Sequence, residues 1–129
     1  MKQIEVRTAS RRQMVNITTQ IKEAVREADV AAGLCHVYVP HTTAAVVINE
    51  SADPDVVRDL LACYDRLVPD IRFAHAEGNS DAHYLTTVLG SAVLLPIDGG
   101  ALCLGTWQGV FFVELDGPRT RRVWVTVSG

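Results

Sequence analysis

The sequence predicts an α+β fold in a single domain, residues 1–129, with a mostly antiparallel sheet and three helices in the order ββ-α-ββ-α-α-βββ. Three observations carry this. Short runs that alternate apolar and polar residues, such as Gln3–Thr8 and Arg121–Val127, read as half-buried strands. Three other segments repeat apolar side chains at helical spacing. The strands cluster in hairpins and do not alternate strictly with helices, which argues against a doubly wound parallel sheet. At 129 residues the chain has one domain's length, and about two-thirds of its unfolded surface can be buried at that mass.

Each element has a local reason. Ile4 and Val6 alternate with polar neighbours in the first strand, and Arg11-Arg12 turns the chain into a second at Met14–Ile17. Thr18 or Thr19 is the expected cap of a helix with Ile21, Ala24, Val25 and Ala28 on one stripe, and Gly33 is its expected stop. In Leu34–Val39, Cys35, Val37 and Val39 share one face while His36 and Tyr38 take the other. Pro40 ends that strand, and Ala44–Ile48 reads as a mostly buried one. Asp53-Pro54-Asp55 is a helix start, with Asp as cap, Pro in the first turn and an acid at the positive end. Val56, Val57, Leu60, Leu61, Tyr64 and Leu67 continue it to Pro69. Gly78-Asn79-Ser80 opens a shorter helix with Leu85, Val88 and Leu89 as its stripe. Ser91–Ile97 is a strand, Leu102–Trp107 and Val110–Leu115 read as a hairpin around Gln108-Gly109, and Asp116-Gly117-Pro118-Arg119 turns into the last strand.

Composition narrows the function classes. Residues 31–117 carry three basic and eleven acidic side chains, a net of −8 within a total of −3. An acidic middle speaks against a nucleic-acid surface and suits a cation site. No apolar run approaches the ~18 residues of a membrane span, and the start lacks a signal peptide's apolar stretch, so the expected location is the cytoplasm. Cys35, Cys63 and Cys103 form no CxxC pair and are expected as free, buried thiols.

Chemistry concentrates on a few positions. His41 follows Pro40 at a strand end, where loops present functional side chains. His75 and His83 flank Glu77-Gly78-Asn79, and His83 lies about 160° from Leu85 around its helix, off the apolar stripe. Imidazole is the commonest ligand of zinc-like ions, and three histidines with an open position make a catalytic type of site. Gly78-Asn79-Ser80 delivers a helix N-terminus whose free N–H groups suit phosphate. Trp107, at a tight turn, either packs on a neighbour or stacks on a ligand. Arg119, set by a rigid turn, pairs with phosphate, with Asp116 or with another chain. No GxGxxG, Walker or G-x-S-x-G pattern occurs.

Together these segments resemble the YjbQ-like family, also named the secondary thiamine-phosphate synthase enzyme family. The resemblance runs along nearly the whole chain. It is carried in order by His41-Thr42-Thr43-Ala44-Ala45, by Asn49–Val56, by His75–His83, and by Leu104–Gly109 followed by Glu114–Arg119. It implies a trimer of small α+β subunits and a polar, histidine-lined pocket for a metal or anion. It also implies secondary thiamine-phosphate synthase activity, in which an aminopyrimidine methyl pyrophosphate is joined to a thiazole phosphate and pyrophosphate leaves.

On that basis a divalent ion, zinc or magnesium in type, is expected on His41, His75 and His83. His41, Glu50 and Glu77 are the expected catalytic groups. Gly78, Asn79, Ser80, Trp107, Gln108 and Arg119 are the expected contacts to a small phosphorylated substrate. A metal-dependent phosphohydrolase would use the same ion to activate water, and a trimeric metabolite- or anion-binding protein would use the pocket without chemistry. Neither nucleic acid nor membrane is an expected partner.

Overall fold

The computed structural model describes residues 1–129. Eight strands and three helices follow in the order β1 (Lys2–Arg7), β2 (Gln13–Asn16), α1 (Thr18–Ala28), β3 (Gly33–Tyr38), β4 (Ala44–Glu50), α2 (Pro54–Leu67), α3 (Ser80–Leu89), β5 (Ala92–Asp98), β6 (Ala101–Leu102), β7 (Gln108–Glu114) and β8 (Thr120–Ser128). The class is α+β as expected, with four strands after the last helix where the expected order has three, and every strand pairing is antiparallel.

The strands form two sheets. One has the order β1-β8-β3-β5-β6, the other β2-β7-β4. Their facing sides and α1 enclose the main core, which includes Val37, Val46, Phe112, Val123 and Ile21. Strand β7 has two buried faces, so it reads as a continuous apolar run. Val110 and Phe112 point into the main core, while Phe111 and Val113 point the other way. There they meet Tyr64 of α2 and Ala82 and Leu85 of α3 in a second cluster. The layers are therefore five strands, three strands, then two helices. The outer face of the five-stranded sheet is uncovered and shows Leu34, Tyr38 and Leu94.

Several boundaries differ from the sequence expectation. No threonine caps α1. Thr18 is its first residue, and its N–H donates to Asn16 Oδ1, so the acceptor lies ahead of both expected caps. The same helix stops at Asp29, which takes the left-handed conformation (φ 54°), rather than at Gly33. Gly33 instead opens β3, where a Cβ would sit 2.0 Å from the Ser128 carbonyl oxygen. Asp53 caps α2 as expected by accepting from the Asp55 N–H at 2.9 Å. Val88 faces solvent, and α3 packs through Ala82, Leu85 and Thr86. The hairpin expected at Gln108-Gly109 does not form. β6 is two residues long and pairs with β5, while β7 starts at Gln108 and lies between β2 and β4. Cys35 is buried, but Cys63 and Cys103 are exposed. No helix is long and apolar enough to cross a membrane.

A two-compartment cleft at one end of the sheets

Four chain segments meet at the end where β4 begins and β7 stops. They are the β3–β4 connection 39–43, the β7–β8 turn, the start of α3, and the strap 68–79 between the last two helices. Their foundation is a buried ion pair. Glu114 is fully buried and Arg121 nearly so, with Arg121 Nε donating to Glu114 Oε1 at 2.9 Å. Arg121 Nη2 also donates to the Thr43 carbonyl and hydroxyl at 3.0 and 2.9 Å. Burial alone would raise the Glu114 pKa, but hydrogen bonds from Arg121, Thr8 and the Asp116 N–H outweigh it and hold the carboxyl below its ordinary range. This pair ties β7 of one sheet to β8 of the other and fixes Thr43 between them.

Above it lies a compartment of about 890 Å³ with no hydrophobic residue in its lining. His75 from the strap and His83 from α3 meet edge to face, with ring centroids 5.6 Å apart. Glu77 Oε2 is 3.9 Å from His75 Nε2. Gly78 turns the strap into α3 at φ 76°, which a residue with a Cβ adopts only with strain. Asn79 reaches across the compartment, its Nδ2 donating to Asp116 Oδ2 at 3.0 Å, and its buried Oδ1 has no partner. Arg119 Nε donates to the Asp116 carbonyl and Nη2 to Asp116 Oδ2, so its guanidinium is held while Nη1 stays available. Asp81, in the first turn of α3, is clamped by Arg11 through two 3.0 Å bonds and also by Arg12. Burial would raise Asp81, but the Arg11 bond and the neighbouring positive charges hold its carboxyl below the ordinary value.

A second compartment of about 810 Å³ adjoins the first across Thr42, Thr43, His83 and Arg119. Tyr38, Val39 and Trp124 give it an apolar side, with the Tyr38 and Trp124 rings stacked at 5.8 Å. His41 stands here. Its Nε2 accepts from the Arg122 backbone N–H at 2.9 Å, and burial together with the Arg121 charge lowers its pKa. Thr86 also borders this space; its hydroxyl is buried and has no partner.

Residues 2–129 match the family described as UPF0047 protein YjbQ-like. The chain belongs to this family. It is 44% identical to the UPF0047 protein MJ1081 of Methanocaldococcus jannaschii over 97% of this chain and 91% of that protein. It is 38% identical to YugU of Bacillus subtilis over 100% of this chain and 99% of that one. A solved YjbQ/UPF0047 family structure from Clostridium acetobutylicum superposes with a TM-score of 0.96 at 43% identity, covering 99% of this chain and 100% of the other.

The YjbQ-like fold brings together many of the expected site residues but not all. His75, Glu77, Gly78, Asn79 and Arg119 line the polar compartment, and Ser80 begins the helix beside it. Arg119 takes the Asp116 pairing that was one of its expected readings. His41 lines the second compartment with His83, away from His75. Glu50, Trp107 and Gln108 stand at the opposite end of β4, about 20 Å away at ~3.4 Å per residue. There Glu50 pairs with Gln108 in register, Trp107 is exposed, and Gln108 Oε1 accepts from the Gly105 N–H. The reason is the missing hairpin: the Leu104–Gly109 segment closes the far end of the three-stranded sheet.

The histidines do not form a three-ligand centre. No three His, Cys, Asp or Glu side chains are grouped to hold one ion, and the His41 Nε2 lone pair is engaged by the Arg122 N–H. His75 and His83 remain a fitting pair of imidazoles. Sequence reasoning missed Arg11, Asp81, Thr86 and the Glu114–Arg121 pair, and saw Asp116 only as a partner of Arg119. A signal for the last existed: Arg121 shares the inward face of β8 with Val123 and Val125, so an arginine was being buried and required an acid.

Proposed function

We propose that this cleft acts on a small phosphorylated molecule, with thiamine-phosphate-synthase-type coupling as the reaction. An aminopyrimidine methyl pyrophosphate would lose pyrophosphate and be captured by a thiazole phosphate. The observation that carries the reading is the joining of two unlike compartments. One is wholly polar, and the other has an apolar aromatic side; they share His83 and Arg119. Such a cleft suits a ligand with a phosphate at one end and a ring at the other.

The chemistry asks for two things. The departing pyrophosphate needs its charge neutralised, and the carbon left behind, a benzylic-type cation stabilised by the pyrimidine amino group, needs a site that excludes water. Arg119 Nη1, the His75 and His83 imidazoles and the first N–H groups of α3 supply donors for the first task. Tyr38, Val39 and Trp124 border the place for the second. A divalent ion of zinc or magnesium type would be held by His75 and His83, and when bound it would add positive charge against the phosphate oxygens.

Phosphate-ester hydrolysis is the second reading, favoured by Glu77 beside His75 as a group able to orient water. Pyrophosphate and phosphate release are measured on the two coupling substrates together and on a panel of phosphate esters. Pyrophosphate release that requires both substrates supports coupling. Phosphate release from single esters supports hydrolysis. Neither release, with ligands that still bind, leaves a binding protein and ends the enzyme reading.

A further inference from the structure

Thr86 helps pack α3, yet its hydroxyl has no partner inside the protein. It is 7% exposed, yet its Oγ1 makes no hydrogen bond, while the next residue, Thr87, donates its hydroxyl to the His83 carbonyl at 3.0 Å. Buried hydroxyls are nearly always partnered, so an orphan that borders a cavity points to a ligand or water in that cavity. His41 borders the same space. Because its Nε2 accepts from the Arg122 N–H, a neutral imidazole there carries its proton on Nδ1, the nitrogen without a protein partner.

We propose that the compartment between His41 and Thr86 is a second ligand subsite, taking a neutral, planar, hydrogen-bonding group of a molecule whose anionic end lies among Arg119, His75 and His83. The inference rests on the phosphate reading of the neighbouring compartment and extends it to the rest of the ligand. His41 offers a donor through Nδ1, and the Thr86 hydroxyl both donates and accepts. An amide or the edge of a nitrogen heterocycle satisfies both. A cation finds no carboxylate in the lining, Arg121 is already committed to Glu114 and Thr43, and Arg119, at the border of the two compartments, serves the anionic end. Planarity follows from the wall, where Tyr38 and Trp124 stack with ring planes 27° apart. The lowered His41 pKa agrees with a neutral imidazole at this position.

The test follows ring nitrogen signals of His41, His75 and His83 and the Thr86 methyl signal in the full chain at pH 7. Benzamide is titrated as a neutral planar probe, with benzylamine as cation, benzoate as anion and cyclohexanecarboxamide as the non-planar amide. Inorganic pyrophosphate is titrated separately. The expected result is an Nδ1–H tautomer at His41, benzamide shifts confined to His41 and Thr86, and weaker binding of the other three probes. Thr86→Val should bind benzamide at least about 5-fold more weakly, and Thr86→Ser, which keeps the hydroxyl, should restore it. An Nε2–H tautomer, benzamide that leaves both residues unmoved, or equal binding by Thr86→Val overturns the subsite. Pyrophosphate that fails to move His75 and His83 overturns the phosphate reading instead, so the two failures separate.

Discussion

The backbone N–H of Arg122 donates to Nε2 of His41 across 2.9 Å, so an amide of β8 decides which nitrogen of a cleft histidine holds the proton. Burial of His41 and the Arg121 charge beside it have a consequence for stability. The folded state holds His41 with a pKa below the ordinary 6.5, so as pH falls through 6.5 the unfolded chain takes up the proton first. Stability is therefore intact above about pH 6.5 and declines below it, towards the lowered folded value. Melting temperatures at pH 7.5 and 5.5 should show a larger fall for the natural chain than for His41→Asn. Equal slopes would mean that His41 titrates as it does in the unfolded chain.

The Glu114–Arg121 pair gives the largest expected single-residue effect. Glu114→Gln leaves a buried arginine without its counter-charge, which costs roughly 3–5 kcal/mol in such settings. By contrast Lys2→Ala removes an ion pair between half-exposed side chains, worth about 0–1 kcal/mol. Urea denaturation of the two variants should place their midpoints far apart. Similar midpoints would show that the pair is replaceable by neutral hydrogen bonds.

A third expectation concerns metal. With His75 and His83 as the two protein ligands, zinc titrated calorimetrically into the chain should bind in a way that His75→Ala and His83→Ala each abolish. His41→Ala should retain it. His83→Ala should also melt close to the natural chain, since substitutions away from buried features usually stay within about 0.5 kcal/mol. Loss of zinc on His41→Ala would restore the three-histidine arrangement expected from the sequence.

Much of this fold was legible because its signals are local. The Asp53-Pro54-Asp55 start of α2 and the alternation of β8 need only neighbours in sequence. The site was half legible for the opposite reason. His75, Gly78 and Asn79 announce themselves as a cluster, whereas Asp81 acquires meaning only through Arg11, and the cross-cleft bond of Asp116 only through Asn79, both brought there by folding. Trp107 misled because a tryptophan at a turn looks the same whether its strand ends at the cleft or, as here, at the far end of β4.

The final expectation, which the family resemblance implies, is a homotrimer. The single chain exposes 7,366 Å², more than the roughly 6,700 Å² typical of its mass, and the open face of the five-stranded sheet carries Leu94 at 58% exposure beside Leu34 and Tyr38. Light scattering at micromolar concentration should give three copies, and Leu94→Lys should lower that number while leaving the circular dichroism spectrum unchanged. A monomer in the natural chain would show that this face is tolerated in water.

The strap 68–79 gives the cleft a division of labour. Ile71 to Pro69 is the one backbone hydrogen bond that begins and ends within residues 68–78, yet His75, Glu77 and Gly78 ride on it. On the facing wall Thr43 is held by Arg121 of the interior charge pair, and Arg119 by Asp116 and Thr8. Changes of length or residue in the strap cost the sheets no ladder bond, so the histidine side of the cleft can be rebuilt without disturbing the strands that hold the opposite wall. Exchanging the strap alone is therefore the shortest route to a changed preference at the histidine side.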